Sequence, residues 1–382
     1  MPSGPIRKGA STQALATSLY RLLAAHPGNL FLSPYSISTA LAMCQAGASG
    51  LTRAEIEAAL EQAGSGDRLV EDFGDLQQVL ASRARPSPMP FQLSLANSCW
   101  VQRGYAVKSA FTETLRDRLG AEVKETDFGG APAEALREVN AWVEEETRGK
   151  IQKILSESNI GALTRMILAN AIHFQAQWMH PFPERATRAE RFHLLDGRTA
   201  DVPMMRSTES RPYARGRGFQ ALEVPYGNDW VVMLLVLPES GELQAVERTL
   251  DVGSVSDLTR NAKWVDVALT LPRFRVESSF ALREPLIRMG IERAFTPGAD
   301  FTRISEEPGC ALGEVLHKAV VDVDEKGTEA AAATAAVMVT GASFAPRPPP
   351  IEFRVDRPFL FLIEDKPTGT ILFLGRVVNP RA

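Results

Sequence analysis

The sequence predicts an α+β fold organised as one domain over residues 1–382. Two patterns predict the class: apolar residues recur at helical spacing early in the chain, and nearly continuous apolar runs bounded by turn residues occupy the later part. A third observation predicts the single domain. No internal repeat and no Pro/Gly/Ser-rich linker divides the 382 residues, and apolar segments continue to the end.

The elements follow in order. Leu15, Leu19, Leu22 and Leu23 share one face of a helix that Pro27-Gly28 closes. Ser33-Pro34 reads as an N-cap followed by proline at the first helical position, opening a helix with Ile37, Ala40, Leu41 and Cys44 on one face. Thr52 and Glu55 have capping-box spacing ahead of Ile56, Ala59 and Leu60. A further helix carries Leu136, Val139 and Val143, with Gly149 beyond its end. Met166 to Phe174 is apolar almost throughout, as expected of a strand covered on both faces, and Val231 to Leu237 is a second such run, stopped by Pro238. Phe359 to Ile363 and Ile371 to Leu374, separated by a turn-rich segment ending near Gly369, read as a hairpin.

Composition narrows the function classes. The chain is 45% apolar and 23% charged with a net charge of −4, enough to bury a large core. No basic block marks a nucleic-acid or polyanion site, and no run of ~18 apolar residues marks a membrane span. Cys44, Cys99 and Cys310 are too few and too scattered for a disulfide framework or zinc site. With no apolar core of a signal peptide at the N-terminus, these features point to a cytoplasmic protein, or an extracellular one whose signal segment has been removed.

No catalytic machinery of its own is expected. No Gly-x-Ser-x-Gly elbow, His-Glu-x-x-His, phosphate loop or dinucleotide fingerprint occurs. His26, His173, His180, His193 and His317 share no metal-ligand spacing, so neither metal nor cofactor is expected. A Ser–His–Asp triad has no fixed spacing, and nothing in the chain favours one. His317 lies on an alternating strand face with Val315, Ala319, Val321 and Val323, where a lone histidine is more often a satisfied core residue than a catalyst.

The most informative stretch is Asp324 to Thr334, which reads Asp-Glu-Lys-Gly-Thr-Glu-Ala-Ala-Ala-Ala-Thr. Four alanines favour helix, whereas the flanking valines and threonines favour strand. Such a conflict marks a surface helix, a linker, or a segment built for two states.

This stretch resembles the proximal hinge of the serpins, whose reactive loop is bait for a protease. Other segments resemble the same family in order, from about residue 15 to residue 380. Asn29 to Ser36 is similar to its early motif; Val139-Asn140-Ala-Trp142-Val143, with Thr147 to Ile151, is similar to the helix crossing its main sheet. Leu168 to Phe174, then Trp178 and Pro181-Phe182, resembles its third central strand. Phe353 to Phe361 matches the family signature, and Phe373 to Pro380 its terminal strand.

The resemblance implies about eight or nine helices around three β-sheets, with an exposed reactive-centre loop at about 325–350. It implies a monomeric serine protease inhibitor that acts as a suicide substrate. The loop is cut, the acyl-enzyme is trapped, and the loop enters the main sheet. Intracellular or prokaryotic-like members are the nearest in character. The hinge would comprise Glu325, Gly327, Thr328, Glu329, Ala330, Ala331, Ala332, Ala333 and Thr334. Thr328, Ala330, Ala332 and Thr334 alternate onto one strand face, and none is charged or large. Ser33, Ser36, Asn170 and His317 would form a hydrogen-bonded cluster beneath the sheet, and Trp178 would stand where insertion starts. Counting fourteen residues from Gly327 puts the scissile bond at Gly341–Ala342, with Ser343 and Phe344 as alternatives because the loop is longer than usual on its Pro-rich side. The small residues there favour an elastase-like or subtilisin-like target. The alternative is a non-inhibitory storage, carrier or chaperone protein of the same family.

Overall fold

A computed structural model describes residues 10–83, 91–161, 164–227, 230–307, 309–328 and 348–381. The first half holds α1 (Ala10–Leu23), β1 (Leu30–Leu32), α2 (Pro34–Gly47), α3 (Gly50–Ala59), α4 (Arg68–Arg83), β2 (Gln92–Gln102), α5 (Ser109–Leu119), β3 (Glu122–Thr126), α6 (Pro132–Glu146) and β4 (Met166–Gln177). Strands β5 (Arg188–His193), β6 (Thr199–Gly216), β7 (Phe219–Pro225) and β8 (Val231–Pro238) follow, then helices α7 (Leu243–Thr249) and α8 (Val252–Arg260). The chain continues through β9 (Lys263–Pro272), β10 (Phe274–Ala281), α9 (Arg283–Arg288), β11 (Leu312–Val323) and β12 (Gly327–Thr328). It closes with β13 (Ile351–Arg354), β14 (Phe359–Asp365) and β15 (Thr370–Val377). Among the described residues no helix is long and apolar enough to cross a membrane.

The six-stranded main sheet runs β10-β11-β12-β4-β2-β3. Strands β4 and β11 are parallel neighbours, paired directly from Leu312↔Met166 to Val320↔His173. Beyond that they part, and β12 lies between their C-terminal ends, antiparallel to both: Thr328 faces Ala176 on one side and Val323 on the other. The remaining nine strands form one network, because β6 is 18 residues long and pairs with β5 and β9 along its first part and with β7 at its end. Three strand groups result, two of them joined through β6.

Each face of the main sheet has its own core. Phe174, Ile172, Leu168 and Met166 of β4, with Val321 and Ala319 of β11, join the principal core shared with α2, β14 and β15. Ile167, Ala169 and Ala171, with Leu316 and Val320, pack in a second cluster with Val139, Trp142 and Val143 of α6. This explains the nearly continuous apolar run of β4: alternate residues enter different cores, and both are buried.

The Ser33 cap forms as the sequence predicts, its Oγ accepting from the Ser36 N–H at 3.1 Å, with Pro34 at the first turn. The β14–β15 hairpin and the strand stopped by Pro238 also form. Two details differ. Helix α2 is buried on every side rather than on one face, because it is enclosed by core elements all round. The Thr52–Glu55 capping box is absent, since both residues lie inside α3 and look outward to other partners. Thr52 Oγ1 accepts from Asp300 N–H at 2.9 Å, and the Glu55 carboxylate accepts from the Glu292 and Arg293 N–H groups at 2.9 and 2.8 Å. The three cysteines are free and buried.

Candidate functional site

The parting of β4 and β11 creates a place where one more strand fits, and Gly327-Thr328 already occupies its mouth. Asp324 bends the chain into that position. Its Oδ1 accepts from the Lys326 and Gly327 N–H groups at 2.8 and 3.1 Å, and its own N–H donates to Gly327 O at 2.9 Å. Gly327 then passes so close to β4 that a Cβ there would stand 2.0 Å from the Ala176 carbonyl oxygen and 2.7 Å from Gln177 Cα. Both are backbone atoms, so only glycine fits without a shift.

Thr328 is fully buried, and its hydroxyl pairs with the Tyr226 hydroxyl at 2.7 Å. Burial holds the Tyr226 phenol far above its ordinary pKa, so it is a neutral donor and acceptor. Trp178 lies flat on Tyr226, with centroids 4.5 Å apart and planes 11° apart, and is fully buried. Its indole N–H donates to Asp324 O and its backbone N–H to Lys326 O, each at 2.9 Å. Phe182 N–H donates to Glu325 O at 2.8 Å. Trp178 is therefore a fastener for residues 324–326 as well as a core aromatic.

Glu325 is buried, and Arg273 grips one of its oxygens through Nε at 2.9 Å and Nη2 at 2.6 Å, with Thr187 donating to the same oxygen. Burial pushes its carboxyl pKa up, but the hydrogen bonds from Arg273 and Thr187 outweigh that and leave it below the ordinary carboxylate value.

Deeper along the same two strands is the polar cluster. His317 and Asn170 are register partners on β11 and β4. His317 Nε2 accepts from the Ser33 N–H at 3.0 Å, so the ring proton sits on Nδ1 and donates to Asn170 Oδ1 at 2.6 Å. The Asn170 amide donates to the Ser36 carbonyl at 3.0 Å and also meets Ser36 Oγ and Asn97 Oδ1. Ser33 Oγ donates to Leu372 O at 2.6 Å, tying the cluster to β15. Complete burial depresses the His317 pKa to about 3, so the imidazole is neutral at ordinary pH. Ser33, Ser36, Asn170 and His317 are all fully buried, and their hydrogen bonds hold β4, β11 and α2 in one arrangement.

Ser33, Ser36, Asn170 and His317 thus come together, while Trp178, Glu325, Gly327 and Thr328 gather at the mouth. Glu329, Ala330, Ala331, Ala332, Ala333 and Thr334, and the candidate scissile residues Gly341, Ala342, Ser343 and Phe344, lie outside the described residues. Tyr226, Arg273, Thr187 and Asn97 were not expected at the site. Each reaches it through long-range pairing, which leaves no local mark in the sequence.

A family model described as serpin (serine protease inhibitor) matches residues 10–380. An uncharacterized serpin-like protein of Thermococcus kodakarensis is 42% identical over 363 residues, spanning 95% of this chain and 83% of that protein. Leukocyte elastase inhibitor of Bos taurus is 36% identical over 382 residues, spanning 97% of this chain and 99% of that one. Human thyroxine-binding globulin, solved in complex with thyroxine, superposes with a TM-score of 0.87 at 30% identity, covering 99% of this chain and 100% of that one.

Proposed function

The chain belongs to the serpin family, and from that premise we propose that it is a suicide inhibitor of an elastase-like or subtilisin-like serine protease. The observation that carries this reading is the two-residue strand at Gly327-Thr328, already seated between β4 and β11 and followed in the sequence by Glu329 and the small residues Ala330 to Ala333. A loop tethered there can extend the strand downward by parting the β4–β11 ladder, exchanging those hydrogen bonds for new antiparallel ones on both sides.

The register of β12 determines what each inserted residue would meet. Continuing it, Ala330 comes level with Phe174 and Val321, Ala332 with Ile172 and Ala319, and Thr334 with Asn170 and His317. Ala330 and Ala332 would bring only methyl groups to that core face. A hydroxyl arrives where Asn170 and His317 now bond to each other, so the inserted strand can replace that bond rather than strand two buried polar groups. The other face, Glu329, Ala331, Ala333 and Ala335, would look toward α6.

The reaction is the one the serpin resemblance implies, and that register supports it. The protease serine oxygen forms an ester with the carbonyl of Gly341 as the bond to Ala342 breaks and its amine leaves. With Thr328 already in the sheet, insertion of the thirteen residues to Gly341 at ~3.3 Å each would carry the esterified protease ~43 Å. Deforming its active site in transit stops hydrolysis of the ester. The resemblance to leukocyte elastase inhibitor and the small residues around Gly341 support the target class. A carrier role has one observation in its favour, the likeness to thyroxine-binding globulin. Against it stand the uncharged, small inward residues of the hinge.

Incubating equimolar protein with porcine pancreatic elastase and with subtilisin, followed by denaturing electrophoresis, tests the reading. A covalent band at the summed mass is expected with at least one of them. Cleaved fragments without such a band across a panel of both types would overturn it.

A further inference from the structure

At the far end of α1, away from the main sheet, is a cavity of about 580 Å³. This is within the range that holds a small organic ligand. Its walls are the last turn of α1 and the loop after it, one side of α7, Arg376 of β15, and Leu195 from the β5–β6 turn.

The wall is held firmly. Arg376 is 4% exposed and donates to Ala24 O, His26 O and Gly28 O at 3.2, 2.6 and 2.8 Å, fixing the chain that leaves α1. The same guanidinium bonds Glu247 at 2.8 Å, and the Tyr20 hydroxyl donates to the same oxygen at 2.6 Å. Three guanidiniums line this cavity against one carboxylate, and that carboxylate is committed to Arg376 and Tyr20. The charges left over belong to Arg21 and Arg248. Arg21 uses Nη2 on Leu250 O at 2.7 Å. Arg248 is exposed and engages no hydrogen bond or ion pair among the described residues.

Beside these charges the lining carries His26 and Gln244, and an apolar share from Ala24, Ala25, Pro27, Leu195 and Leu243. Leu243 and Ala24 face the cavity, and Leu195 stands at its mouth 57% exposed, one of few large apolar side chains left in water. An exposed leucine beside two uncompensated guanidiniums matches a ligand with an apolar body and a single anionic head.

We propose that this cavity binds a small amphiphilic anion, its carboxylate or sulfonate head on Arg248 and Arg21 and its hydrocarbon against Leu195 and Leu243. The site shares no residue with the hinge or with the cluster around His317, so it stands or falls separately from the inhibitor reading.

Calorimetric titration of the full chain with dodecanoate below its micelle concentration tests this, with dodecyltrimethylammonium as the cationic counterpart. One saturable site per chain is expected for the anion and none for the cation. Arg248→Glu should weaken dodecanoate about tenfold or more, and Leu195→Asp should weaken it without abolishing binding of a shorter anion, octanoate, to the same degree. Both side chains are exposed, so both variants should melt as the wild type does. No saturable heat, equal affinity in Arg248→Glu, equal binding of the cation, or several unsaturating sites would each overturn the proposal.

Discussion

The Thr328 and Tyr226 hydroxyls meet at 2.7 Å in a fully buried position, beneath the stacked indole of Trp178. If residues 325–350 are the reactive loop proposed above, a residue at its start is therefore already desolvated and hydrogen-bonded within the main sheet. Insertion would not have to nucleate a strand; it would only have to lengthen one.

That relationship makes position 328 decisive. Thr328→Arg places a charge in a buried slot and removes the Tyr226 partner, which opposes the first step of strand addition. The variant should fold and be cut by the target protease, but release it as a substrate. Glu329→Ala, which would fall on the opposite face of a lengthened strand, should be far milder. The number of inhibitor molecules consumed per protease inactivated measures both; it should rise several-fold for Thr328→Arg and stay near wild type for Glu329→Ala.

Gly327 offers a second test. A Cβ there collides with the backbone of β4, so Gly327→Ala must push the two-residue strand out of its slot, at a cost of about 1–3 kcal/mol. The melting midpoint should fall by several degrees and inhibitor consumption should rise. A midpoint equal to wild type would mean that Gly327 is not held against Ala176.

Acid should loosen the centre of the sheet through His317. Its folded pKa of about 3 lies below the ordinary value of ~6.5, so between those limits the unfolded chain binds more protons. Stability from this group is complete above pH ~6.5 and is lost as pH falls toward 3, at up to ~1.4 kcal/mol per unit. Urea midpoints measured from pH 7 to 5 should decline in the wild type and decline less steeply in His317→Gln, which starts lower.

Much of this was legible in the sequence because it is local. Ser33-Pro34 caps α2 through neighbouring atoms, the Asp324–Thr328 turn carries its own glycine, and the apolar run of β4 marks a doubly covered strand. The α+β class and the family resemblance are borne out. What was illegible depends on tertiary partners. Thr52 and Glu55 have the spacing of a cap, yet their side chains serve residues 292–300, and no local pattern distinguishes the two uses. Tyr226 and Arg273 reach Thr328 and Glu325 only after the sheets have assembled.

Whether the loop can become a strand of the main sheet is decided by limited proteolysis followed by thermal melting. If the intact protein is held short of its most stable state by a kinetic barrier, one cut within residues 338–344 frees the loop to lengthen β12 between β4 and β11. Mass spectrometry verifies the cut, and the melting midpoint should then rise well above that of the intact chain. A midpoint unchanged or lowered after a verified cut in that region would mean that the loop does not enter the sheet.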